Sequence, residues 1–168
     1  MLKLSENVLK FSGGNLNFID DFFLMYRKEY SNNPYDLTTL MPGVKDILKY
    51  LLDNDFHMNI CTNKRQHVAE KILNLMNLFD KFDFIVGARQ NIPLKPHRQM
   101  IDSICNQYMN NQNEFIMVGD TNVDVLAAKN AGISSAIVDG GYTNEDCKSL
   151  GADFYFKNIS ELKLVLNL

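Results

Sequence analysis

Two aspartates follow an apolar run at the point where a helical pattern begins. The run 115–118 (Phe-Ile-Met-Val) is followed by Gly119, Asp120 and Thr121, and Asp124 comes four residues after Asp120. A strand over the run would put Asp120 at its carboxyl edge and Asp124 in the first turn of the next helix. Two carboxylates that converge there can hold Mg²⁺, which takes one or two protein carboxylates and leaves its other positions to water and phosphate.

A purely structural interpretation of these residues also stays open. Asp120 or Thr121 would cap the following helix, and Asp124 would favour its positive end. For either aspartate alone the two interpretations weigh equally. The occurrence of both carboxylates at one strand end favours the metal site.

Two further groups suit a phosphate ligand. Thr62 and Asn63 follow a short strand-like segment, where a hydroxyl, an amide and nearby backbone N–H groups can donate hydrogen bonds to a phosphoryl oxygen. Lys95, fixed by Pro96 at the start of a helix, can neutralise phosphate charge. Taken singly, Thr62 and Asn63 are better explained as an ordinary turn or cap, and Lys95 as a solvated surface lysine.

The elements that must position these groups alternate along the chain from residue 42 onward. Such alternation indicates βαβ units, a mostly parallel sheet and helices on both faces, so the fold class is α/β. In such a sheet, ligands bind at the carboxyl ends of the strands, where all the candidate residues lie. The predicted helices cover 43–54, 68–79, 97–109, a segment that ends at Gly132, and 159–166; the predicted strands cover 58–62, 82–87, 115–118, 136–138 and 154–156.

Residues 1–40 follow a different pattern. They contain no strand-like segment, and a stripe of apolar residues at helical spacing runs through them. We therefore predict a separate helical element before the α/β part. The stripe consists of Ile19, Phe22, Phe23, Tyr26 and Tyr30.

Composition excludes several classes of function. The chain has 168 residues, 46% of them hydrophobic, and a net charge of −3 without a basic stripe, which argues against a nucleic-acid partner. No apolar run is long enough to cross a bilayer, so no membrane partner is expected. The cysteines, Cys61, Cys105 and Cys147, are far apart and no secretion signal precedes them, which predicts reduced thiols and a cytoplasmic location.

The order of the three chemical segments resembles a known family. Thr62-Asn63, Lys95-Pro96 and Gly119-Asp120-Thr121-x-x-Asp124 are similar to motifs two, three and four of the haloacid dehalogenase superfamily, and more narrowly of its phosphoglycolate phosphatase branch. The resemblance implies a Rossmannoid parallel sheet over residues 41–168, preceded in residues 1–40 by the remnant of a helical cap. Supporting segments are Met41-Pro42-Gly43-Val44, Gly140-Gly141-Tyr142 and Gly151-Ala152-Asp153.

The resemblance also implies a reaction. Members of the family hydrolyse phosphate monoesters through an aspartyl-phosphate and use Mg²⁺ as cofactor. By this resemblance Thr62 and the backbone of Asn63 bind the phosphoryl group of a small phosphorylated metabolite, and Lys95 balances its charge. Asp120 is a direct ligand of Mg²⁺, and Asp124 supports the ion directly or through water.

One part of the family pattern is missing. The resemblance implies a first strand that runs into Asp-x-Asp-Gly-Thr, with the nucleophilic aspartate, and this chain contains no such segment. Asp53-Asn54-Asp55 has the spacing without the Gly-Thr, and Asp20-Asp21 lacks even the spacing. In the family this strand is central, between the strands that end at Thr62 and Asp120. We therefore expect a chain truncated at its N-terminus, inactive by itself, with a sheet that lacks its central strand.

Several explanations remain open at this stage. The chain is a fragment completed by another chain or shortened by a wrong start site, or it is a catalytically dead relative. Alternatively, the flanking strands pair directly and leave a phosphate-binding or Mg²⁺-binding module. Without the resemblance, a receiver-like signalling domain with an acidic Mg²⁺ site is a further alternative, but its acidic pair should follow the first strand.

Overall fold

The chain divides into two compact units, residues 1–38 and 39–168. The computed structural model describes residues 16–33, 38–109, 114–141 and 146–166. In the first unit it describes helix α1 (Leu16–Asn32), on which the rings of Phe22, Tyr26 and Tyr30 stack in succession at four-residue spacing. The predicted helix is confirmed, and its origin as a cap remnant stays a prediction. Residues 1–15, also assigned to that remnant, lie outside the described ranges.

The second unit alternates helices and strands in the predicted order. Short 3₁₀ turns at Phe79–Lys81, Cys147–Leu150 and Ile159–Leu162 lie between or beside the main elements. The elements are α2 (Val44–Asp53), β1 (Asn59–Arg65), α3 (Gln66–Leu75), β2 (Phe84–Ala88), α4 (Gln99–Cys105), β3 (Ile116–Gly119), α5 (Asn122–Ala131), β4 (Ser134–Val138), β5 (Phe154–Phe156) and α6 (Lys163–Leu166).

Three helices are shorter than their apolar patterns predict. Helix α3 ends at Leu75 because Asn77 has a left-handed φ of 55°, and the N–H of Leu78 turns back to the carbonyl of Leu73 at 2.8 Å. Beyond Asn106, hydrogen bonds between residues three apart replace the helical pattern. The predicted helix over 159–166 is a 3₁₀ turn followed by the short α6, with the Asn158 side chain capping the turn.

The strands form two parallel sheets instead of one. Strand β1 pairs with β2, and β3 pairs with β4, which in turn pairs with β5. Within the described ranges β1 and β3 do not pair with each other. The sheet therefore lacks a strand between them, as expected, and the alternative in which the flanking strands pair directly is wrong for this part of the chain.

Helices cover both faces of the larger sheet. Ile47 of α2 packs with Ala136 and Val138 of β4, whereas Val125 of α5 packs with Ile137, the residue between them. Side chains in a strand alternate between faces, so α2 and α5 lie on opposite sides.

A shared core layer joins the two sheets across the gap. Ile101 of α4 and Ala127 of α5 form a cluster with Cys61 of β1 and Met117 of β3. This apolar layer keeps the ends of β1 and β3 near each other although no backbone hydrogen bonds connect the two strands.

The three cysteines are free thiols. Cys61, Cys105 and Cys147 form no disulfide, and burial raises the pKa of each thiol. Among the helices in the described ranges, none is long and apolar enough to cross a membrane. The cytoplasmic location stays a prediction.

Candidate functional site

A buried ion pair links the carboxyl ends of the two sheets. Lys95 Nζ donates to Asp124 Oδ1 at 2.7 Å and to the backbone carbonyl of Cys61 at 2.6 Å. The side chains of Lys95 and Asp124 are only 8% and 10% exposed. Cys61 belongs to β1 and Asp124 to the first turn of α5, directly after β3, so the ammonium group bridges the gap between the sheets.

Two asparagines hold the segment that carries Lys95. The Asn63 side chain donates to the carbonyl of Lys95 at 3.0 Å and accepts from its N–H at 2.9 Å. Asn130, on α5, donates to the carbonyl of Pro96 at 2.9 Å. The backbone around Lys95 is thus tied to β1 on one side and to α5 on the other. The sequence predicts only a phosphate contact for Asn63, and nothing in its spacing indicates the role of its side chain in holding Lys95.

Asp124 caps the start of α5 and also lies at the strand end where the sequence predicts a metal site. Its Oδ2 accepts from the Thr121 hydroxyl at 2.8 Å, the Thr121 N–H at 3.1 Å and the Asp120 N–H at 3.3 Å, which is part of a capping box. Burial alone would raise the pKa of Asp124, but the charge of Lys95 and hydrogen bonds from Lys95, Thr121 and the backbone lower it below its ordinary value. The carboxylate is therefore held in its ionised form.

An irregularity in β1 presents Thr62 and Asn63. Cys61 pairs with Val86 and Arg65 with Ala88, so three residues of β1 stand opposite only Gly87. A bulge of this kind takes residues out of the ladder and redirects their side chains. Thr62 Oγ1 accepts the N–H of Lys64 at 3.2 Å, which leaves the hydroxyl proton of Thr62 to donate to a ligand.

Two glycines let the aspartates lie against the backbone. A Cβ on Gly119 would be 2.3 Å from the Cβ of Asp124, and a Cβ on Gly141 would be 2.1 Å from Asp120 Oδ2. Gly141 follows β4, so the loop after that strand fixes the space left for Asp120. In the sequence Gly141 is part of the family resemblance only, because no spacing rule marks a glycine that makes room for a side chain at the end of another strand.

Replacing Gly141 by alanine is expected to lower the free energy of unfolding by about 2 kcal/mol, because the new methyl group overlaps Asp120. Urea denaturation measures this change. All three of the nearest atoms belong to Asp120, so in an Asp120→Gly background the same replacement should cost well under about 1 kcal/mol. An equal loss in both backgrounds would show that the contact does not determine the position of Asp120.

The side chains of the site are of the types that bind a hard divalent cation. Asp120 and Asp124 offer carboxylate oxygens, which Mg²⁺ prefers, and Lys95 offsets one of their two negative charges. Both oxygens of Asp124 already accept protein hydrogen bonds, so this carboxylate suits contact through water better than direct ligation. The described ranges contain no group of three or more histidine, cysteine or acidic side chains that could hold a metal. A Mg²⁺ site needs no such group.

The structure brings together all five predicted site residues through hydrogen bonds or chain proximity: Thr62, Asn63, Lys95, Asp120 and Asp124. Asp120 joins the group through its N–H, which donates to Asp124. Their chemical roles stay predictions.

Known proteins are similar to this chain in both sequence and fold. The model of a family described as haloacid dehalogenase-like hydrolase matches residues 4–138. A phosphoglycolate phosphatase from Aquifex aeolicus is 29% identical over 147 residues, which cover 82% of this chain and 69% of that protein.

Two solved structures illustrate the shared fold. A predicted phosphoglycolate phosphatase from Haemophilus somnus has a TM-score of 0.88 at 21% identity, covering 96% of this chain and 73% of that one. The HAD-hydrolase YfnB from Bacillus subtilis, whose structure is bound to magnesium, has a TM-score of 0.65 at 19% identity and covers 77% and 56%.

Proposed function

The chain belongs to the haloacid dehalogenase-like hydrolases, and on that premise we propose that it forms the phosphate-binding and magnesium-binding part of a phosphate monoester hydrolase. The observation that carries the proposal is the buried Lys95, whose ammonium group lies at the carboxyl ends of β1 and β3 between Cys61 and Asp124. A buried cation at that edge of a parallel sheet suits an anionic ligand. The proposed substrate is a small phosphorylated metabolite such as 2-phosphoglycolate, by analogy with the Aquifex aeolicus relative.

Three groups would bind the phosphoryl group. The Thr62 hydroxyl would donate its proton to one oxygen, because the hydrogen bond that Thr62 Oγ1 accepts from the Lys64 N–H does not use that proton. The backbone N–H of Asn63 assists from the same bulge. Lys95 supplies positive charge from a site where water screens it little, which strengthens its attraction for phosphate.

Asp120 and Asp124 would hold Mg²⁺, Asp120 directly and Asp124 through water. The bound ion would neutralise charge on the phosphoryl oxygens. Support comes from the paired carboxylates, from the space that Gly141 leaves for Asp120, and from the magnesium-bound YfnB of the same fold. Lys95 and the capping hydrogen bonds would keep Asp124 ionised and fixed in orientation.

The nucleophile would come from outside these 168 residues. The sequence has no Asp-x-Asp-Gly-Thr, and the described strands leave a gap between β1 and β3. We propose that an extended segment enters this gap and presents its aspartate beside Lys95. Such a segment would also satisfy backbone groups on the facing edges of both strands.

A second candidate function is a binding module without turnover. The observation that favours it is that the groups proposed to bind phosphate and Mg²⁺ are assembled in a chain without the nucleophile motif. The two candidates make different predictions for catalysis and the same prediction for binding.

One experiment separates the two candidates. Mg²⁺-dependent hydrolysis of 2-phosphoglycolate and p-nitrophenyl phosphate is measured with the chain alone, and again with a synthetic apolar strand that ends in Asp-x-Asp-Gly-Thr. We expect no turnover by the chain alone and turnover when the strand is added. The matched control is the same strand with both aspartates replaced by asparagine, which should bind without restoring turnover.

Other outcomes have equally definite meanings. Turnover by the chain alone that disappears in Asp120→Ala would contradict the need for a second segment. Binding of phosphate without turnover in either arm would favour the binding module. No phosphate binding at all would contradict both candidates.

A further inference from the structure

The side-chain amide of Gln66 bonds to the backbone of β2 as a paired strand would. Gln66 is the first residue of α3 and directly follows the end of β1. Its Oε1 accepts the N–H of Gly87 at 2.6 Å, and its Nε2 donates to the carbonyl of Ile85 at 2.8 Å. In a parallel ladder, the peptide groups of a neighbouring strand make these same two kinds of bond. The amide therefore attaches the start of α3 to the carboxyl end of β2.

This amide also has two further hydrogen-bonding partners. Its Nε2 donates to Glu70 Oε1 at 2.6 Å, one turn further along α3, and its Oε1 accepts from Arg89 Nε at 3.3 Å. A glutamine amide has two N–H donors and one oxygen with two lone pairs, so all four positions are used. Exchanging the oxygen and the nitrogen would place donor against donor and acceptor against acceptor. The half-buried side chain of Gln66 is thus fixed in one orientation.

The backbone beside Gln66 is fixed as well. Val68 of α3 is only 1% exposed, so the first turn of the helix is anchored in the core. Gly87 is buried against this turn: a Cβ there would be 2.7 Å from Gln66 Cα and 2.9 Å from the carbonyl oxygen of Lys64. The chain that leaves the end of β1 therefore lies directly against β2.

The bulge that carries Thr62 and Asn63 is held at both ends on β2. Cys61 pairs with β2 at one end and Arg65 at the other, with three residues of β1 between them. The amide of Gln66, which directly follows Arg65, reinforces the second end and so fixes the length of chain within the bulge. Without this amide, β1 would be free to slip along β2, and a slip of one residue turns every side chain to the opposite face.

We propose that Gln66 is a positioning residue for phosphate binding, because its amide keeps the bulge in the shape that presents the Thr62 hydroxyl and the Asn63 N–H to the phosphoryl group. The inference rests on the proposed function, since it assumes that phosphate is bound by these groups. The effect extends further through the Asn63 side chain, which bonds to both the N–H and the carbonyl of Lys95. Gln66 thereby influences phosphate-binding groups on two segments of the chain.

Calorimetric titration of the chain with inorganic phosphate in the presence of Mg²⁺ tests the proposal. Gln66→Met keeps the length of the side chain and removes its hydrogen bonds. It should weaken phosphate binding about tenfold, the loss expected when one hydrogen bond to a charged ligand is misplaced. In a Thr62→Ala background the same replacement should weaken binding by only about threefold or less, because a group that Gln66 positions is already gone.

The matched control is Ser135→Ala, which also removes buried side-chain hydrogen bonds. The Ser135 hydroxyl donates to Asp153 Oδ2 at 2.8 Å and accepts the Asp153 N–H at 3.2 Å, at the amino end of β4. This variant should keep the phosphate affinity of the wild-type chain even if it unfolds more easily. Equal losses of affinity in Gln66→Met and Ser135→Ala would overturn the inference, as would a loss in Gln66→Met that is just as large without the Thr62 hydroxyl.

Hydrogen exchange of the Lys95 backbone amide measures the positioning effect without a ligand. This N–H donates to Asn63 Oδ1, so it should exchange about threefold or more faster in Gln66→Met and at the wild-type rate in Ser135→Ala. An unchanged rate in Gln66→Met would contradict the positioning role. Failure of the proposed function gives a different result, because the wild-type chain itself would then bind no phosphate.

Discussion

Replacing Lys95 by methionine is expected to lower the free energy of unfolding by about 3 kcal/mol. The two side chains of the Lys95–Asp124 pair are almost fully buried, and removal of one partner leaves the other as an uncompensated buried charge. Methionine preserves most of the volume of the lysine stem, so the loss reports on charge and hydrogen bonds rather than on a cavity. Since small domains are stable by only about 5–15 kcal/mol, urea denaturation detects the change easily.

The chain offers a matched control for this variant. Lys49 pairs with Asp53 at 2.7 Å, but both side chains are more than half exposed, and such pairs contribute about 0.5 kcal/mol or less. Lys49→Met should therefore have little effect on unfolding. A double variant, Lys95→Met with Asp124→Leu, should recover part of the stability because no buried charge remains. Equal losses for Lys95→Met and Lys49→Met would contradict a stabilising role for the buried pair.

The Lys95–Asp124 pair also predicts that the stability of the folded chain depends on pH in the acidic range. The folded pKa of Asp124 lies below its unfolded value, so its contribution to stability is complete above about pH 4 and is lost as the pH falls through the folded pKa. Lys95→Met removes much of the cause of that shift. The difference in stability between the wild-type chain and the variant should therefore narrow below about pH 4.

The sequence predicts those parts of the site that depend on strand ends. Asp120, Asp124 and Thr62 were identified because each follows an apolar strand pattern, and the carboxyl ends of parallel strands meet at one edge. The structure has them there. Lys95 was identified because a proline follows it and through the family resemblance, and nothing local to its segment indicated that its ammonium group is buried.

The remaining features of the site depend on contacts between distant segments. Gly141 makes room for Asp120, and the Asn63 side chain holds the backbone of Lys95, which is 32 residues further along the chain. Gln66 joins α3 to β2 through hydrogen bonds with Gly87 and Ile85. None of these contacts has a sequence spacing that would predict it.

The strands themselves could be predicted from the sequence, whereas the packing that holds them in two sheets depends on contacts between distant segments. The alternation of helices and strands predicted a parallel α/β fold, and each strand formed close to its expected position. The family resemblance further predicted a missing central strand, and β1 and β3 remain unpaired with each other in the described ranges. Packing of Cys61 and Met117 against α4 and α5 explains how the gap persists, because this apolar layer fixes both strands without backbone hydrogen bonds between them.

Asp120→Asn is expected to lower the rate of hydrolysis strongly and to leave the free energy of unfolding nearly unchanged. Lys95→Met, in contrast, is expected to lower the free energy of unfolding. The amide has nearly the same shape as the carboxylate but lacks the charge that Mg²⁺ requires. Hydrolysis by the chain completed with the added strand should fall about 100-fold or more, since loss of the ion's contribution amounts to about 3 kcal/mol or more of transition-state stabilisation. Unfolding without Mg²⁺ should change by less than about 1 kcal/mol, because Asp120 is only partly buried.

A second measurement on the chain alone makes the Asp120 prediction independent of turnover. At ten times its Kd, Mg²⁺ should stabilise the wild-type chain by about 1.4 kcal/mol, and this gain should disappear in Asp120→Asn. Asp139→Asn is the matched control: Asp139 follows β4 and accepts the hydroxyl proton of Tyr155, and it has no proposed role in binding the ion. That variant should keep the Mg²⁺ response even if its stability falls. If the stabilisation by Mg²⁺ survives in Asp120→Asn and disappears in Asp139→Asn, the Mg²⁺ site lies at the end of β4 and not at the end of β3.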